Sequence, residues 1–479
     1  MSKSDILYRS FCRKDKSLRD YQQKAKENIF SAWDEVDNVM FQMPTGTGKT
    51  RLFTSIIGDI KAWGVINSIE KRILIVAHRI ELIEQISDNL KRYRIPHGII
   101  AGGRERDLRQ QVQVASIQTI THHSNVNAIN GLKVDFIIID EAHHSVANSY
   151  NKLWDLFENA KKLGVTATPW RMNNKGFTQL YDRLILSNPI DDFISEGWLS
   201  TYSYYSIKED DPIKKKIESI NEFDVEGDYK ASALEREIDT LRIRAQLLDC
   251  YLKYAKGKKG IIYSISHNHS NHIIEEFRNA SIRIVCIDSQ TPKEERRLLV
   301  QRFKNGEIDI IVNVDIFSEG FDCPDIEFIQ LARPTRSLVK YLQQVGRGLR
   351  PTDSKTKCII LDNVGLYSLF GLPNAKRDWY SSFKGEMPKT QTIQNIERSS
   401  YADSTVIERN YEEGSEELCL IEDFDQISLT QESVWEERDD KLLSVLYLEK
   451  KCSLEVLASV FCKNIEEIES RVRLLHLER

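Results

Sequence analysis

The sequence predicts an α/β fold: two tandem domains built on parallel sheets flanked by helices, followed by a small C-terminal module of helix-turn-helix type. Three observations predict it. Short β-branched runs alternate with amphipathic stretches, the series restarts once after a polar interval, and the last residues recover helical periodicity. At 479 residues the chain is also too long for one core and suits two or three domains of ordinary size.

In the first series, a strand at Asn38–Gln42 leads into a helix at Arg51–Lys61, and one at Arg72–Ala77 leads into a helix at Ile80–Tyr93. Strands at Val112–Ala115, Phe136–Ile139 and Lys162–Thr166 complete it. A polar stretch around Lys208–Tyr229 separates the second series, whose strands fall at Lys259–Tyr263, Ile282–Ile287, Ile308–Val312, Phe328–Leu331 and Lys357–Leu361. After Gly385 the chain turns polar, and residues 401–440 hold 14 acidic side chains against two basic ones, so this part reads as a linker or strap. Helical spacing returns in Leu442–Leu448, Ser453–Phe461 and Asn464–Leu475, with Val456, Leu457, Val460, Phe461, Ile465, Ile468, Val472 and Leu475 as the expected core positions. The expected boundaries are 1–205, 206–385, 386–436 and 437–479.

Composition narrows the class. Hydrophobic residues at 41% and charged residues at 29% are those of a water-soluble globular chain. The longest apolar runs are strand-sized, far from the roughly 20 residues that a membrane span needs. The polar N-terminus has no apolar leader, which points to the cytoplasm. Eight cysteines without a CxxC pair read as reduced and structural. A net charge of -5 excludes wholesale coating of nucleic acid but allows a local basic track.

Two motifs carry chemistry. Met43–Thr50 reads MPTGTGKT between a strand and a helix, with Met43 standing where the first glycine of G-x-x-x-x-G-K-T is usual. Backbone N–H groups of Thr45, Gly46, Thr47 and Gly48 would cradle phosphates, Lys49 would neutralise their charge, and the Thr50 hydroxyl could ligate magnesium. The apolar strand Phe136–Ile139 ends in Asp140 and Glu141, which places two carboxylates at the edge of the sheet where such folds bind ligands. Asp140 suits magnesium, and Glu141 suits the orientation and deprotonation of an attacking water.

With DEAH at Asp140–His143, TAT at Thr166–Thr168 and QQVGRGLR at Gln343–Arg350, residues 18–385 resemble the superfamily 2 helicases of the DEAD/DEAH type. LRDYQ at Leu18–Gln22 is similar to the opening motif of their DNA-directed branch, which holds RadD-like and XPB-like helicases and the restriction-enzyme translocases. The resemblance implies two RecA-like domains with ATP and Mg2+ in the cleft between them. It implies that Arg19 and Gln22 read adenine, and that His143, Thr166 and Thr168 couple hydrolysis to movement. Ser318, Glu319, Gly320 and Asp322 match the segment that touches ribose and the catalytic site. Gln343, Arg347 and Arg350 would share one helix face, the two arginines reaching the γ-phosphate as permanently charged, planar guanidinium groups. His78, Arg79, Gly102, Gly103, Ser116 and Thr119 match segments that grip a sugar-phosphate backbone.

His267, His269 and His272 sit within HNHSNH but lack a carboxylate or cysteine close by in sequence, so no metal is expected there. The leading expectation is an ATP-dependent DNA translocase or helicase acting in repair, restriction or phage defence, with a terminal module that either binds DNA or docks a protein partner. The alternatives are an RNA helicase and an ATP-gated binding subunit that recruits a nuclease.

Overall fold

The computed structural model describes residues 7–122, 131–145, 148–173, 175–208, 211–314, 323, 325–352, 355, 357–386 and 419–423. Towards the end of the chain it describes 443–444, 447–448, 454, 457 and 465–475. Ser318, Glu319, Gly320 and Asp322 lie outside the described residues, as does most of the expected acidic strap.

The first sheet contains β1 (Asn38–Gln42), β2 (Ile73–Ala77), β3 (Gly98–Ile100), β4 (Val112–Ser116), β5 (Phe136–Asp140), β6 (Lys161–Thr166) and β7 (Arg183–Leu186). Its order is β3-β4-β2-β5-β6-β1-β7, and every pairing is parallel. Both β2 and β5 are buried along their whole length, which is why ILIVA and FIIID run apolar without alternation. Alternate residues still serve opposite faces. Ile73 and Ile75 join one core with Phe30, Trp33 and Phe53, while Leu74 and Val76 join another with Tyr150 and Tyr181.

The second sheet contains β8 (Thr201–Ser206), β9 (Gly260–Tyr263), β10 (Ile284–Ile287), β11 (Ile310–Asn313), β12 (Phe328–Leu331), β13 (Lys357–Asp362) and β14 (Cys419–Asp423), in the order β10-β11-β9-β12-β13-β8-β14. It begins earlier than the sequence suggests. TYSYYS at 201–206 carries too little apolar character to announce a buried strand, yet it pairs with β13 over six residues, so the boundary between 205 and 206 cuts through β8. Cys419–Asp423 adds the edge strand β14, so the acidic stretch is not linker throughout.

The end of the second domain returns to the first. In the helix Trp379–Lys384, Phe383 is buried in the core of the first sheet, and its carbonyl accepts the Phe177 N–H at 2.7 Å. On another side, Lys293 Nζ reaches Glu84 Oε1 at 2.6 Å and Arg296 Nη1 reaches Glu81 Oε1 at 3.6 Å, from the helix Lys293–Lys304 to the helix Ile80–Arg92.

Residues 423–479 form a separate compact unit. Its described core gathers Leu443, Leu457, Ile468 and Val472, with Leu475 packed against it, and its best-defined helix is Ile465–Leu474. No helix among the described residues is long and apolar enough to cross a membrane.

Candidate functional site

The site forms where the carboxyl ends of β1, β5 and β6 come together. These three strands follow one another in the sheet as β5-β6-β1, so Thr45–Thr50, Asp140–Glu141 and Thr166–Thr168 share one edge. Gly46 and Gly48 adopt φ of 90° and 93°, which only glycine takes without strain. A side chain would also fill the cradle: a Cβ on Gly48 would lie 2.5 Å from Gln22 Nε2, and one on Gly46 would lie 3.3 Å from Arg350 Cγ. The Thr47 hydroxyl closes the loop on the Pro44 carbonyl at 2.7 Å.

Lys49 opens the helix Lys49–Ile66, seven residues longer than the predicted Arg51–Lys61, with Nζ 3.3 Å from the Met43 carbonyl. Burial lowers its pKa, the charges of Glu141 and Asp140 oppose that shift, and Arg347 and Arg350 add to it. One ammonium thus feels the two carboxylates of the first domain and the two guanidinium groups of the second. The domains meet tightly here. A Cβ on Gly346 would lie 2.8 Å from Thr45 Cβ, and a cavity of about 200 Å³ runs between Pro44 and Thr45 on one side and Leu342, Val345 and Gly346 on the other.

Asp140 is the last residue of β5, and its Oδ1 accepts the Glu141 N–H at 3.0 Å. Glu141 sits at φ 50° and ψ 51°, a left-handed conformation that costs a non-glycine residue roughly 1–2 kcal/mol and is held only when neighbours enforce it. His143 Nδ1 lies 3.3 Å from Glu141 Oε2 and 3.1 Å from Thr166 Oγ1. Thr166 in turn accepts the Thr168 N–H at 3.1 Å, and its carbonyl accepts the Met43 N–H at 2.9 Å. The TAT segment is therefore linked to Glu141 through His143 and bonded directly to the start of the phosphate loop.

Arg19 and Gln22 brace that loop from the first helix. Gln22 Nε2 donates to the carbonyls of Thr47 at 3.1 Å and Gly48 at 3.3 Å, while its Oε1 accepts the Arg19 N–H at 3.0 Å. Arg19 stacks on Trp198 at 4.3 Å and donates to the Tyr21 hydroxyl, which itself donates to the Thr47 carbonyl at 2.8 Å. Upstream, burial opposes ionisation of Asp15, but hydrogen bonds from Ser17 and Ser55 and the charge of Arg51 hold its pKa down to about 2.

In the second domain Gln343 and Arg347 are buried on the helix Leu338–Gly348. Arg350 does not share that face, because the helix ends at Gly348 before reaching it. Its carbonyl accepts the Ser200 hydroxyl at 3.1 Å, which anchors it to the segment that joins the domains.

The candidate track residues also converge. His78 and Arg79 follow β2, Gly102 and Gly103 follow β3, and Ser116 and Thr119 stand at the end of β4, three strands that are neighbours in the sheet. Added side chains at Gly102 and Gly103 would meet nothing within 4 Å, so this backbone is open to close approach. The Ser116 hydroxyl accepts the Thr119 N–H at 3.4 Å as the cap of a single turn.

The three histidines of HNHSNH have local partners. Ile265 N–H donates to His269 Nδ1 at 3.2 Å, burial pushes His269 down to about 4, and His272 Nδ1 meets Asp239 Oδ2 at 2.7 Å. One point corrects the sequence argument: the fold brings Cys286 and Asp288 to His267, with candidate ligand atoms within 4.8 Å of one another. Hydrogen bonds explain that cluster. Asp288 already accepts from Gln290, Thr291 and His267, and burial raises the Cys286 thiol to about 11.

Sequence reasoning passed over Arg171, His144 and Trp198. Arg171 Nε donates to the His143 carbonyl at 2.9 Å, and its place in TATPWR, just after Thr166 and Thr168, is the signal that could have found it.

Comparison with known proteins agrees with this geometry. Residues 15–171 match the family of the type III restriction enzyme res subunit, and residues 243–352 match the helicase conserved C-terminal domain. A 51.5 kDa protein of a Lactococcus phage is 35% identical over 350 residues, covering 73% of this chain and 71% of that protein. The Saccharomyces cerevisiae protein named as ATP-dependent helicase IRC3 is 31% identical over 373 residues, or 74% of this chain, which spans 52% of its length. The DNA 3'-5' translocase XPB2 of Sulfurisphaera tokodaii is 27% identical over 391 residues, covering 74% of this chain and 83% of that protein. A structure of a fragment named as an HsdR subunit of a type I restriction enzyme from Vibrio vulnificus shares the fold, with a TM-score of 0.61 at 22% identity over 81% of this chain and 70% of that one. A phosphate loop, an acidic pair and an arginine helix meeting across two parallel sheets, in a chain with these relatives, place it among the superfamily 2 helicases, in the branch of the XPB-like proteins and restriction translocases, as an ATP-dependent DNA helicase or translocase.

Proposed function

We propose that the chain moves along DNA from 3' to 5', with each ATP cycle closing and reopening the cleft between its domains. The observation that carries this reading is the meeting of the two halves of the site at the phosphate loop, where a Cβ on Gly346 would lie 2.8 Å from Thr45 Cβ and one on Gly46 3.3 Å from Arg350 Cγ, and where the charges of Asp140, Glu141, Arg347 and Arg350 all act on Lys49. In this reading Thr45, Gly46, Thr47, Gly48, Lys49 and Thr50 hold the phosphates, and Arg19 and Gln22 flank the base. Glu141 takes the proton of the attacking water, and Arg347 and Arg350 neutralise charge that develops on the γ-phosphate. In this reading Gln343, four residues before Arg347 on the same helix, serves the same site. The named polarity of the Sulfurisphaera translocase supports the direction.

Magnesium fits the donor set. Asp140 offers a carboxylate at the sheet edge and Thr50 a hydroxyl at the start of the helix beside the glycine cradle, and these two would hold it. Bound there, it supplies charge neutralisation to the phosphates. The track runs over the open edge formed by β3, β4 and β2. The domain division follows the two sheets, and residues 423–479 form a docking module for a protein partner in repair, restriction or phage defence.

ATPase rates of the purified chain with single-stranded, duplex and forked DNA and with RNA test this reading, alongside strand displacement. DNA is expected to raise turnover at least about tenfold, the signature of binding energy used to organise the site. Stimulation by RNA alone would move the reading to an RNA helicase, and no stimulation by any nucleic acid would remove it.

A further inference from the structure

The two histidines that follow Glu141 form a continuous row of rings with the histidine at the end of β2. His78 and His144 have ring centroids 3.9 Å apart, and His144 and His143 have centroids 4.2 Å apart. At the catalytic end, His143 Nδ1 contacts both Glu141 Oε2 and Thr166 Oγ1, at 3.3 and 3.1 Å. At the other end, the His78 carbonyl accepts from Gln118 Nε2 at 2.9 Å, and Gln118 Oε1 accepts from the Ser116 hydroxyl at 2.6 Å. The row thus begins among the segments at the ends of β2 and β4 and finishes on Glu141.

The backbone supplies a second, independent link. His144 N–H donates to the Glu141 carbonyl at 3.1 Å, closing the short turn Ala142–His144. Glu141 enters that turn in the left-handed conformation, so its carboxylate direction depends on what holds the turn in place. Arg171 fixes the same turn from the far side through the His143 carbonyl. A shift of the His144 ring therefore reaches Glu141 by two routes, through the His143 ring and through the main chain.

We propose that His144 is a positioning residue that couples occupation of the nucleic-acid track at His78 to the alignment of Glu141 for hydrolysis. The proposal rests on Glu141 as the base and on the β2–β4 edge as the track. His144 belongs to neither: it stands half-buried between them, where a planar ring fills the gap from His78 to His143. Nucleic acid seated against β2 and β4 fixes His78, the contacting rings, tilted by 44° and 43° from one to the next, carry that constraint to the turn, and Glu141 is held towards the attacking water. Without the ring, track and site each remain built but act separately.

The test is ATP turnover against DNA concentration for wild type, His144→Ala, His144→Phe and His144→Gln, with thermal melting to establish folding. In His144→Ala the basal rate is expected within about twofold of wild type, while the DNA-saturated kcat falls at least about fivefold, in the range of a coupling contact. The half-saturating DNA concentration and the KM for ATP stay within about twofold, since the proposal gives His144 no contact with either ligand. His144→Phe, which keeps a planar ring, restores at least half of the stimulation. His144→Gln, which keeps polarity without a ring, behaves like His144→Ala and replaces it if the alanine variant does not fold. Full stimulation of both ringless variants overturns the proposal, as does a loss of basal and stimulated rates in equal proportion. A wild type that no nucleic acid stimulates overturns the motor reading and this proposal together.

Discussion

At Glu141 the left-handed backbone and the contact from His143 put a carboxylate beside the phosphate loop without pairing it to Lys49 outright. Glu141→Gln keeps shape and hydrogen bonding but removes the proposed base. It is expected to bind ATP with near-normal affinity and to lose turnover by about 100-fold or more, measured by nucleotide binding alongside steady-state hydrolysis. Arg347→Lys keeps the charge but not the planar fork, and turnover is expected to fall by about 10³-fold. Lys49, Asp140 and Glu141 were legible in the sequence because each stands in a short contiguous motif whose flanks announce a strand or helix. Arg171, Trp198 and His144 were not, because their roles come from partners distant in the chain: Trp198 meets Arg19, and His144 meets His78.

The helix Leu338–Gly348 brings the second half of the site into place through Gly346, which lets the helix approach Thr45. Gly346→Ala places a Cβ 2.8 Å from Thr45 Cβ, and the resulting misplacement of Arg347 is expected to lower kcat roughly 100-fold while both domains keep their melting transitions. The helix His267–Asn279 carries a different signature. Its buried His269 stays neutral in the folded chain down to about 4, whereas in the unfolded chain it takes up a proton near the ordinary value of about 6.5. The unfolded state therefore binds more protons between those two values, so this residue's contribution to stability is complete above pH 6.5 and lost as pH falls towards 4. Urea midpoints across that window should show the decline, and His269→Gln should flatten it. Elements with continuous apolar runs, such as β2 and β5, could be read directly. The three-residue β3, the polar β8 and the end of the arginine helix before Arg350 could not, because length and periodicity give no signal there.

For the whole molecule, the two domains are tied at several points besides the nucleotide cleft. The helix Trp379–Lys384 follows β13 of the second sheet in sequence but buries Phe383 in the first domain. Phe383→Ala is expected to destabilise the first domain by about 3–5 kcal/mol, seen as a lower first melting transition, with little change in the second. Tandem α/β organisation was legible from the restart of the strand series, but this return packing was not, since an aromatic helix soon after β13 looks like part of the domain it follows. The central claim is that one ATPase site is assembled from both domains. Its most direct test is the DNA-saturated ATPase rate of Lys49→Ala and Arg350→Ala beside ATP binding by each. The account predicts that both variants lose turnover by about 10³-fold and that only Lys49→Ala also loses most of its ATP affinity. An Arg350→Ala variant that hydrolyses ATP at the wild-type rate would contradict it.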